Sequence, residues 1–412
     1  MYIAAPASGF GTVRAIPSKT AAGSPVRDRR QPRKGTGFEP GAAADCDSKA
    51  IPPRKTPQKD VRMNASDTAF ILICACMVML MTPALALFYG GLVRSRNILS
   101  THMHSYGALA LVSVLWAFIG YTLAFGPDVG GVIGDLSYLF LKGVGGESAP
   151  AAAQLPHTLF MAFQCMFAAL TVALISGAYA ERIRFSAMML FSGLWLIFAY
   201  APMAHWVWGG GWLSQLGFHD FAGSTAVHMV GGLCALIGAK MVGPRIGKYT
   251  KDGKANAIPG HSLTLAALGC FILWFCWFGF NGCSTVSMTG DETLVNASLI
   301  FVNTNLAAAV ATCVVMIITW SRYKKPDVSM TLNGSLAGLV AITAGCDAVD
   351  PFGAAIIGLI AGFAVVFGVE FIDQKLKIDD PVGAIGVHFV NGALGTVLTG
   401  LFATDGGLFY GG

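Results

Sequence analysis

The chain has 412 residues, of which 54% are hydrophobic and 12% are charged, and its mean hydropathy is +0.62. Soluble domains carry about 25% charged residues, so this composition excludes a water-soluble globular protein. The net basic charge lies in residues 1–62, and residues 63–412 hold 15 Lys and Arg against 17 Asp and Glu, without the clustered basic face that nucleic acid requires.

Residues 1–62 differ in character from the rest of the chain. They contain 8 of the 18 prolines and 12 of the 27 basic residues, and no apolar run in them is long enough for the core of a signal peptide. This composition is typical of a disordered segment. A basic segment outside the cell would also oppose the charge asymmetry of the loops described below. We therefore predict that the tail is not part of the mature protein and that Met63 is its start.

Ten apolar stretches follow Met63. A helix needs about 20 apolar residues to cross about 30 Å of hydrocarbon. The stretches that reach or approach this length are 68–92, 106–125, 157–180, 187–208, 222–239, 262–281, 297–320, 332–346, 352–372 and 382–403. They predict an all-α polytopic membrane protein with ten spans. The eighth stretch is short and rich in glycine, which a helix buried among other helices tolerates best.

The loops between the predicted spans differ in charge. The odd-numbered loops carry 14 Lys and Arg residues, whereas the even-numbered loops carry only Lys142. Basic residues concentrate in the cytoplasmic loops of membrane proteins. We therefore expect a multi-pass protein of the cytoplasmic membrane, with its odd-numbered loops inside and both ends of the ten-span region outside.

The fifth and tenth predicted spans begin with related sequences. Residues 220–232 read DFAGSTAVHMVGG and residues 380–392 read DPVGAIGVHFVNG, which are identical at 6 of 13 positions. Five spans separate the two copies, so they cross the membrane in opposite directions. This pattern indicates two inverted five-helix repeats, at about 68–239 and 262–403, and a functional site near the midplane between them.

Two histidines are the sharpest functional candidates, because ionisable residues inside a membrane are costly. His228 and His388 occupy equivalent positions in the two copies, well inside their spans. One such histidine alone would more simply donate to a carbonyl of a neighbouring helix, but a matched pair at the pseudo-twofold axis favours a function. Asp220 and Asp380 precede these spans and can cap them. Asp220 could alternatively organise an external vestibule.

Aromatic side chains gather toward the expected outer ends of three spans. Phe163 and Phe167 are four residues apart on the third span, a spacing that is more often packing than a gate. Trp208 ends the fourth span, and Phe280 and Ser284 lie at the end of the sixth. A tryptophan in this position can anchor the membrane interface or bind an ammonium-like ion through its ring face.

Taken together, these residues resemble the ammonium transporter (Amt) family of the Amt/Mep/Rh superfamily. The motifs that carry the resemblance run in family order from about residue 67 to the end of the chain. They are ALFYGGLVRS at 86–95, GAYAERIRF at 177–185, HWVWGGG at 205–211, DFAG at 220–223 with His228, WFGFN at 277–281, and DDP at 379–381 with His388. Trp208 favours the Amt branch over the Rhesus proteins.

The resemblance implies a homotrimer in the lipid bilayer with one central pore in each subunit, ammonium and ammonia as the transported species, and no cofactor, metal site or enzymatic activity. In the family pattern, Phe167, Trp208 and Ser284 match the outer recruitment site for ammonium. Phe163 and Phe280 match the stacked phenyl gate beneath that site.

The same pattern covers the histidines and the aspartate. His228 and His388 match the twin-histidine motif of the pore, and Asp220 matches the aspartate that shapes the outer site without contacting the ion. The family has eleven spans and a cytoplasmic C-terminal segment, whereas we predict ten spans. We therefore expect the last span and tail to be missing, which argues against control by PII signal proteins through that tail.

These features predict ammonium transport. Desolvation in an apolar pore disfavours the charged form of ammonium, so we expect deprotonation, passage of ammonia and relay of the proton by the imidazoles. The alternatives are a passive ammonia channel, an ammonium sensor, and an intramembrane metal or haem enzyme ligated by His228 and His388. Electrical current in proteoliposomes distinguishes the first alternative, and a metal assay tests the last.

Overall fold

The computed structural model of the chain describes residues 63–410, in which ten apolar helices follow one another along the chain. Nine are long and apolar enough to cross a membrane, and α8 is shorter. The helices are α1 Ala65–Leu92, α2 Ser95–Phe125, α3 His157–Tyr179, α4 Phe185–Gln215, α5 Ser224–Val242, α6 Leu263–Thr285, α7 Asp291–Tyr323, α8 Val328–Ile342, α9 Pro351–Gln374 and α10 Ile385–Phe402. The predicted all-α polytopic membrane fold is confirmed. The tail predicted over residues 1–62 lies outside the described residues.

The other elements of the described region are short. Strands β1 Asp128–Val129 and β2 Ile133–Gly134 form one antiparallel hairpin, and β3 Ser148–Ala149 and β4 Ala152–Pro156 form a second. Both hairpins lie in the connection between α2 and α3. Single 3-10 turns cover Leu139–Leu141 and Leu408–Tyr410.

Three helices, α2, α4 and α7, are longer by several residues than the hydropathy pattern predicted. The helical segment of α2 begins at Ser95 and not near residue 106. Hydropathy does not show this first part of the helix, because Thr101, His104 and Ser105 are polar although they are buried. Helix α7 covers 33 residues, or about 50 Å at 1.5 Å rise per residue. Its first turn carries Asp291 and Glu292, whose negative charge favours the amino end of a helix.

Four of the helices contain π-helical turns. These turns cover Trp116–Gly120 in α2, Leu196–Tyr200 in α4, Ser224–Met229 in α5 and Ile385–Val390 in α10. A π-turn widens the helix locally and often marks a functional site. The turns in α5 and α10 contain His228 and His388, the two histidines that the sequence singles out.

Helices α5 and α10 cross where one glycine of each helix meets the backbone of the other. A Cβ atom at Gly232 would collide with the backbone nitrogen of Phe389, and a Cβ at Gly392 would lie 2.7 Å from the backbone nitrogen of Met229. Positions 229 and 232 of the first repeat sequence correspond to 389 and 392 of the second. The contacts are therefore reciprocal, and small residues at such crossings allow helix backbones to approach closely. This crossing brings His228 and His388 side by side.

Ion pairs join the loops at one end of the bundle. Arg94, after α1, pairs with Glu181, after α3. Arg245, after α5, donates to both carboxylate oxygens of Asp379 at 2.9 Å, and Arg182 donates to the Asp379 carbonyl at 2.9 Å. These five residues are called the ion-pair network below, and they connect the loops that follow α1, α3, α5 and α9.

The carboxylates of the ion-pair network are held in their charged form. Burial alone would raise the pKa of Asp379, but the hydrogen bonds from Arg245 and the charges of Arg245 and Arg182 outweigh burial and lower it. The pKa of Glu181 is also lowered, because Arg94 and Arg245 outweigh the effect of its burial. The network thus stabilises the folded chain in a pH-dependent way.

Replacing Gly232 by alanine should destabilise the bundle, because its methyl group meets the backbone of α10, which cannot move aside as a flexible side chain can. Overpacking of this kind costs about 1–3 kcal/mol. The measurement is the free energy of unfolding in detergent. Gly400→Ala is the matched control, since nothing lies within 4 Å of a Cβ at that position of α10. Equal stability of the two variants would contradict the close crossing.

The ion-pair network predicts a loss of stability in acid. Because the folded pKa of Asp379 is lowered, its contribution is complete above its ordinary value of 3.8 and is lost as pH falls through the folded pKa. We expect the unfolding temperature of Asp379→Asn to depend less on pH below about 4 than that of the unchanged protein. Asp252→Asn, in an exposed turn, is the control. Identical pH profiles of Asp379→Asn and the unchanged protein would refute this account.

Candidate functional site

A cavity opens at the end of the bundle opposite the ion-pair network. It is formed by the start of α3, the end of α4, the approach to α5 and the end of α6. Its lining residues are Ala151, Phe160, Phe163, Gln164, Phe167, Val207, Trp208, Phe221, Ser284 and Val286. Four of the residues that the sequence assigned to the outer site or gate, namely Phe163, Phe167, Trp208 and Ser284, are therefore brought together here. We call this space the outer cavity.

Trp208 is held in the wall of the outer cavity by the backbone of Asp220. Its indole nitrogen donates to the Asp220 carbonyl oxygen at 2.8 Å, and its ring meets the ring of Phe167 edge-on at 6.2 Å. This hydrogen bond fixes the orientation of the indole ring, and the rest of the ring borders the cavity. A polar indole tip with a satisfied hydrogen bond is the usual arrangement for a partly buried tryptophan.

The carboxylate of Asp220 caps the start of α5. One oxygen accepts from the backbone N–H of Gly223 at 3.0 Å, and the other accepts from Thr225 and Ala226, both at 2.9 Å. Gly223 has a φ of +110°, which a residue with a side chain would rarely adopt, and this turn lets the aspartate reach the amides. Asp220 thus caps the helix with its side chain and orients Trp208 with its carbonyl, so both roles considered from the sequence have a geometric basis.

The stacked phenyl pair beneath the outer cavity differs from the expected one. Phe280 stacks on Phe167, with ring centroids 4.2 Å apart and planes inclined by 18°. Phe163 meets Phe167 edge-on at 4.8 Å and lies nearer the mouth. The stacking partner of Phe280 in the structure is therefore Phe167, and not Phe163 as the family pattern led us to expect.

The physical reason for this correction is the direction of the helices. Helix α3 enters the bundle at the outer cavity, so Phe167 lies one turn deeper than Phe163. Helix α6 runs the other way and ends at the cavity, so Phe280 lies one turn deeper than Ser284. The two deeper residues stack on each other, whereas Phe163 and Ser284 both line the outer cavity. A spacing of four residues alone does not show which phenylalanine lies deeper.

His228 and His388 lie beyond the phenyl pair and face each other. Their Nδ1 atoms are 3.2 Å apart, and their rings are nearly parallel, with centroids separated by 5.2 Å. Both side chains are buried. The narrow chamber around them is otherwise lined by the apolar and aromatic residues Met81, Leu85, Leu170, Leu174, Leu273, Trp277 and Leu336. No carboxylate or lysine lines this chamber in the described part of the chain.

Two residues that the sequence did not assign to the site contact the histidines. The ring of Trp277 stacks on His228 at 5.2 Å and 19°, and its indole nitrogen donates to Oγ1 of Thr343 at 2.9 Å. The hydroxyl oxygen of Tyr89 lies 3.4 Å from Nε2 of His388. Both residues fall within the motifs WFGFN and ALFYGGLVRS, but only the fold places them against the imidazoles.

The comparison with known proteins decides the family. The sequence model described as "Ammonium Transporter Family" matches residues 69–412. The chain belongs to this family. Its match covers every described helix except the first residues of α1, and the resemblance expected from the motifs is confirmed.

Relatives and solved structures agree with this assignment. The chain is 46% identical over 356 residues to the "Ammonium transporter" of Bacillus subtilis, with 85% of each chain covered. It is 41% identical to "Ammonium transporter Amt1" of Archaeoglobus fulgidus, covering 83% of this chain and 82% of the relative.

Two solved structures share the fold and more than a third of the sequence. One is titled "Sensor Amt Protein", with a TM-score of 0.78, 36% identity, and coverage of 84% of this chain and 86% of that chain. The other is Mep2 of Saccharomyces cerevisiae, with a TM-score of 0.77, 36% identity, and coverage of 83% of this chain and 77% of that chain.

Removing the carboxylate of Asp220 should destabilise the start of α5. Asp220→Ala leaves three buried amides of this turn without their acceptor, and each unsatisfied group costs about 1–3 kcal/mol. We expect a loss of at least about 2 kcal/mol in the free energy of unfolding. Ser262→Ala removes a single cap bond, to Leu265 at the start of α6, and should cost about 1 kcal/mol. Equal losses in the two variants would show that the three bonds of Asp220 carry no extra weight.

Proposed function

We propose that the protein transports ammonium across the cytoplasmic membrane by binding it in the outer cavity, removing its proton, passing ammonia through the chamber and relaying the proton through His228 and His388. The observation that supports this most directly is the pair of imidazoles, 3.2 Å apart at Nδ1, buried in an apolar chamber behind an aromatic cavity. Imidazole accepts and donates protons near neutral pH, and nothing else in that chamber does.

The outer cavity has the chemistry to bind ammonium. The ring faces of Trp208 and Phe163 can stabilise a cation that has lost part of its hydration. The hydroxyl of Ser284 donates to the Phe280 carbonyl at 3.2 Å, so its remaining lone pairs are free to accept an N–H bond from the ion. We therefore assign recruitment to Phe163, Trp208 and Ser284, with Asp220 supporting the wall.

The stacked pair of Phe167 and Phe280 separates the outer cavity from the histidine chamber. Rings 4.2 Å apart leave no space between them for a hydrated ion, so passage requires them to part. Apolar constrictions of this kind exclude ions by preventing their hydration. We assign these two residues the role of the gate.

We expect ammonium to lose its proton because the chamber has, among the described residues, no carboxylate that would stabilise the cation. An ammonium ion there would lose its water without meeting a carboxylate, and an uncompensated charge in apolar surroundings is very costly. Ammonium can escape this cost by giving its proton to an imidazole, whereas potassium has no proton to give. Selectivity for ammonium over potassium is a direct consequence of this mechanism.

The assembly and the limits of the domain are also proposals. We propose a homotrimer with one pore in each subunit, two inverted repeats at about 68–239 and 262–403, and cytoplasmic placement of the ion-pair network, in keeping with the basic residues of the odd-numbered loops.

Ammonium sensing is a second candidate function. It is favoured by the 36% identity and TM-score of 0.78 to the structure titled "Sensor Amt Protein". A sensor would bind ammonium in the outer cavity but pass little of it, and a passive channel would pass ammonia without charge. The intramembrane metal enzyme is disfavoured, because within residues 63–410 no third His, Cys, Asp or Glu joins the two histidines in a potential metal site.

Replacing both histidines by glutamine should abolish the relay while keeping polar side chains of similar volume. We expect the ammonium current of His228→Gln/His388→Gln in proteoliposomes to fall at least about tenfold, with the protein still folded. His104→Gln is the matched control, because His104 is a buried histidine of α2 that does not line the chamber. Substituting a carboxylate, as in His228→Asp or His388→Glu, should instead hold intact cations and degrade selectivity against potassium.

Three results would overturn this proposal in different ways. Unchanged ammonium current and potassium exclusion in the double glutamine variant would return the histidines to a structural role. Uptake of ammonia without current in the unchanged protein would favour the passive channel. Binding of ammonium without measurable uptake would favour the sensor.

A further inference from the structure

Tyr89 joins the histidine pair to the backbone of a neighbouring helix. It lies on α1, is 1% exposed, and its hydroxyl donates to the carbonyl oxygen of Leu174 on α3 at 2.9 Å. The same hydroxyl oxygen is 3.4 Å from Nε2 of His388. The ring is also fixed in place, because Gly177 of α3 packs so closely on it that a Cβ atom would come within 2.7 Å of the ring.

The chemistry of these groups determines where the hydroxyl proton lies. A carbonyl oxygen has no proton and can only accept, so the Tyr89 hydroxyl is the donor to Leu174. Its proton is then directed away from His388, and the phenolic oxygen presents a lone pair to Nε2. An attractive contact therefore requires that Nε2 of His388 carries a hydrogen.

The tautomer of His388 determines that of His228. A neutral imidazole carries one N–H, so Nδ1 of His388 is bare and acts as an acceptor. The Nδ1 atoms are 3.2 Å apart, and a hydrogen bond between them needs one donor, which is then Nδ1 of His228. The Nε2 atom of His228 is therefore bare. It is buried and has no hydrogen-bond partner among the described residues, and the ring of Phe280 lies 5.6 Å from the His228 ring.

We propose that Tyr89 is a positioning residue that fixes the tautomers of both histidines and so gives the pair a direction. The inference rests on the proposed function and deepens it. The bare nitrogen of His228 is the end that takes a proton from ammonium, and the N–H of His388 beside Tyr89 is the end that releases one. The order of the hydrogens matches transfer from the outer cavity toward the other end of the pore.

Each transfer conserves protons and changes the state of the pair. Ammonium breaks one N–H bond and His228 gains a hydrogen at Nε2, while the hydrogen on its Nδ1 passes to Nδ1 of His388. The Nε2 hydrogen of His388 leaves to a water molecule on the far side. Both imidazoles end neutral but with reversed tautomers, so a second proton cannot follow until the first arrangement returns. The reversed arrangement turns the bare Nε2 of His388 toward the lone pair of Tyr89, so Tyr89 favours the first arrangement over the reversed one.

The test is the tautomer of each histidine, read directly by nitrogen NMR of the full chain with ¹⁵N-labelled histidine. Protonated and bare ring nitrogens have well-separated resonances, and the His228→Gln and His388→Gln variants assign them. We expect bare Nε2 in His228 and protonated Nε2 in His388. In Tyr89→Phe, which removes only the hydroxyl, the population with the reversed order should rise at least about threefold.

Tyr179→Phe is the matched control. Like Tyr89, Tyr179 is a buried tyrosine; it lies at the end of α3, and its hydroxyl has no hydrogen-bond partner in the described region. It should leave the tautomers unchanged. Protonated Nε2 on His228 in the unchanged protein, or equal populations in Tyr89→Phe and the unchanged protein, would overturn the proposal. The first of these measurements needs no variant at position 89, so it decides the matter even if Tyr89→Phe does not fold.

This readout is separate from the proposed relay. If the double glutamine variant conducts normally while Tyr89→Phe reverses the tautomers, the relay fails and the structural role of Tyr89 stands. If that variant loses its current while Tyr89→Phe leaves the tautomers unchanged, the relay stands and the direction given by Tyr89 fails.

Discussion

The close crossing of α5 and α10 is the constraint on which the site depends. Gly232 and Gly392 let each helix meet the backbone of the other, and the contacts are reciprocal because the two glycines hold equivalent positions in a repeated sequence. Any side chain there would force the helices apart. The Nδ1 contact of His228 and His388 exists only at this helix separation, since a shift of one ångström would take 3.2 Å beyond hydrogen-bond range.

The two parts of the site differ in how they treat a positive charge: the outer cavity can stabilise a cation, and the histidine chamber cannot. The outer cavity offers aromatic faces and the Ser284 hydroxyl, whereas the histidine chamber offers apolar walls and neutral imidazoles. A cation is therefore tolerated at the mouth and strongly disfavoured one layer deeper. In the mechanism that we propose, this contrast, rather than any single strong ligand, favours the loss of a proton between the outer cavity and the chamber.

Much of the fold was predictable because a bilayer imposes a simple rule on sequence. Ten apolar stretches mark ten helices, and the repeated motif identifies the histidines and their equivalence. Hydropathy did not find the polar start of α2, where buried His104 and Ser105 interrupt the apolar run. The family pattern predicted Phe163 as the stacking partner of Phe280, whereas Phe167 holds that position, since depth along α3 depends on helix direction. The contacts of Trp277 and Tyr89 join distant segments, and no local pattern encodes them.

The neighbouring residues Asp379 and Asp380 have a mechanical consequence. Asp379 is clamped by Arg245 in the ion-pair network, while the next residue accepts the amides of Gly383 and Ile385 at the start of α10. One peptide bond thus links the loops that follow α1, α3 and α5 to the helix that carries His388. Because no flexible residue separates Asp379 from Asp380, a displacement of those loops is transmitted directly to the start of α10, the helix that carries His388. Loops and pore should therefore melt as a single cooperative unit rather than in stages.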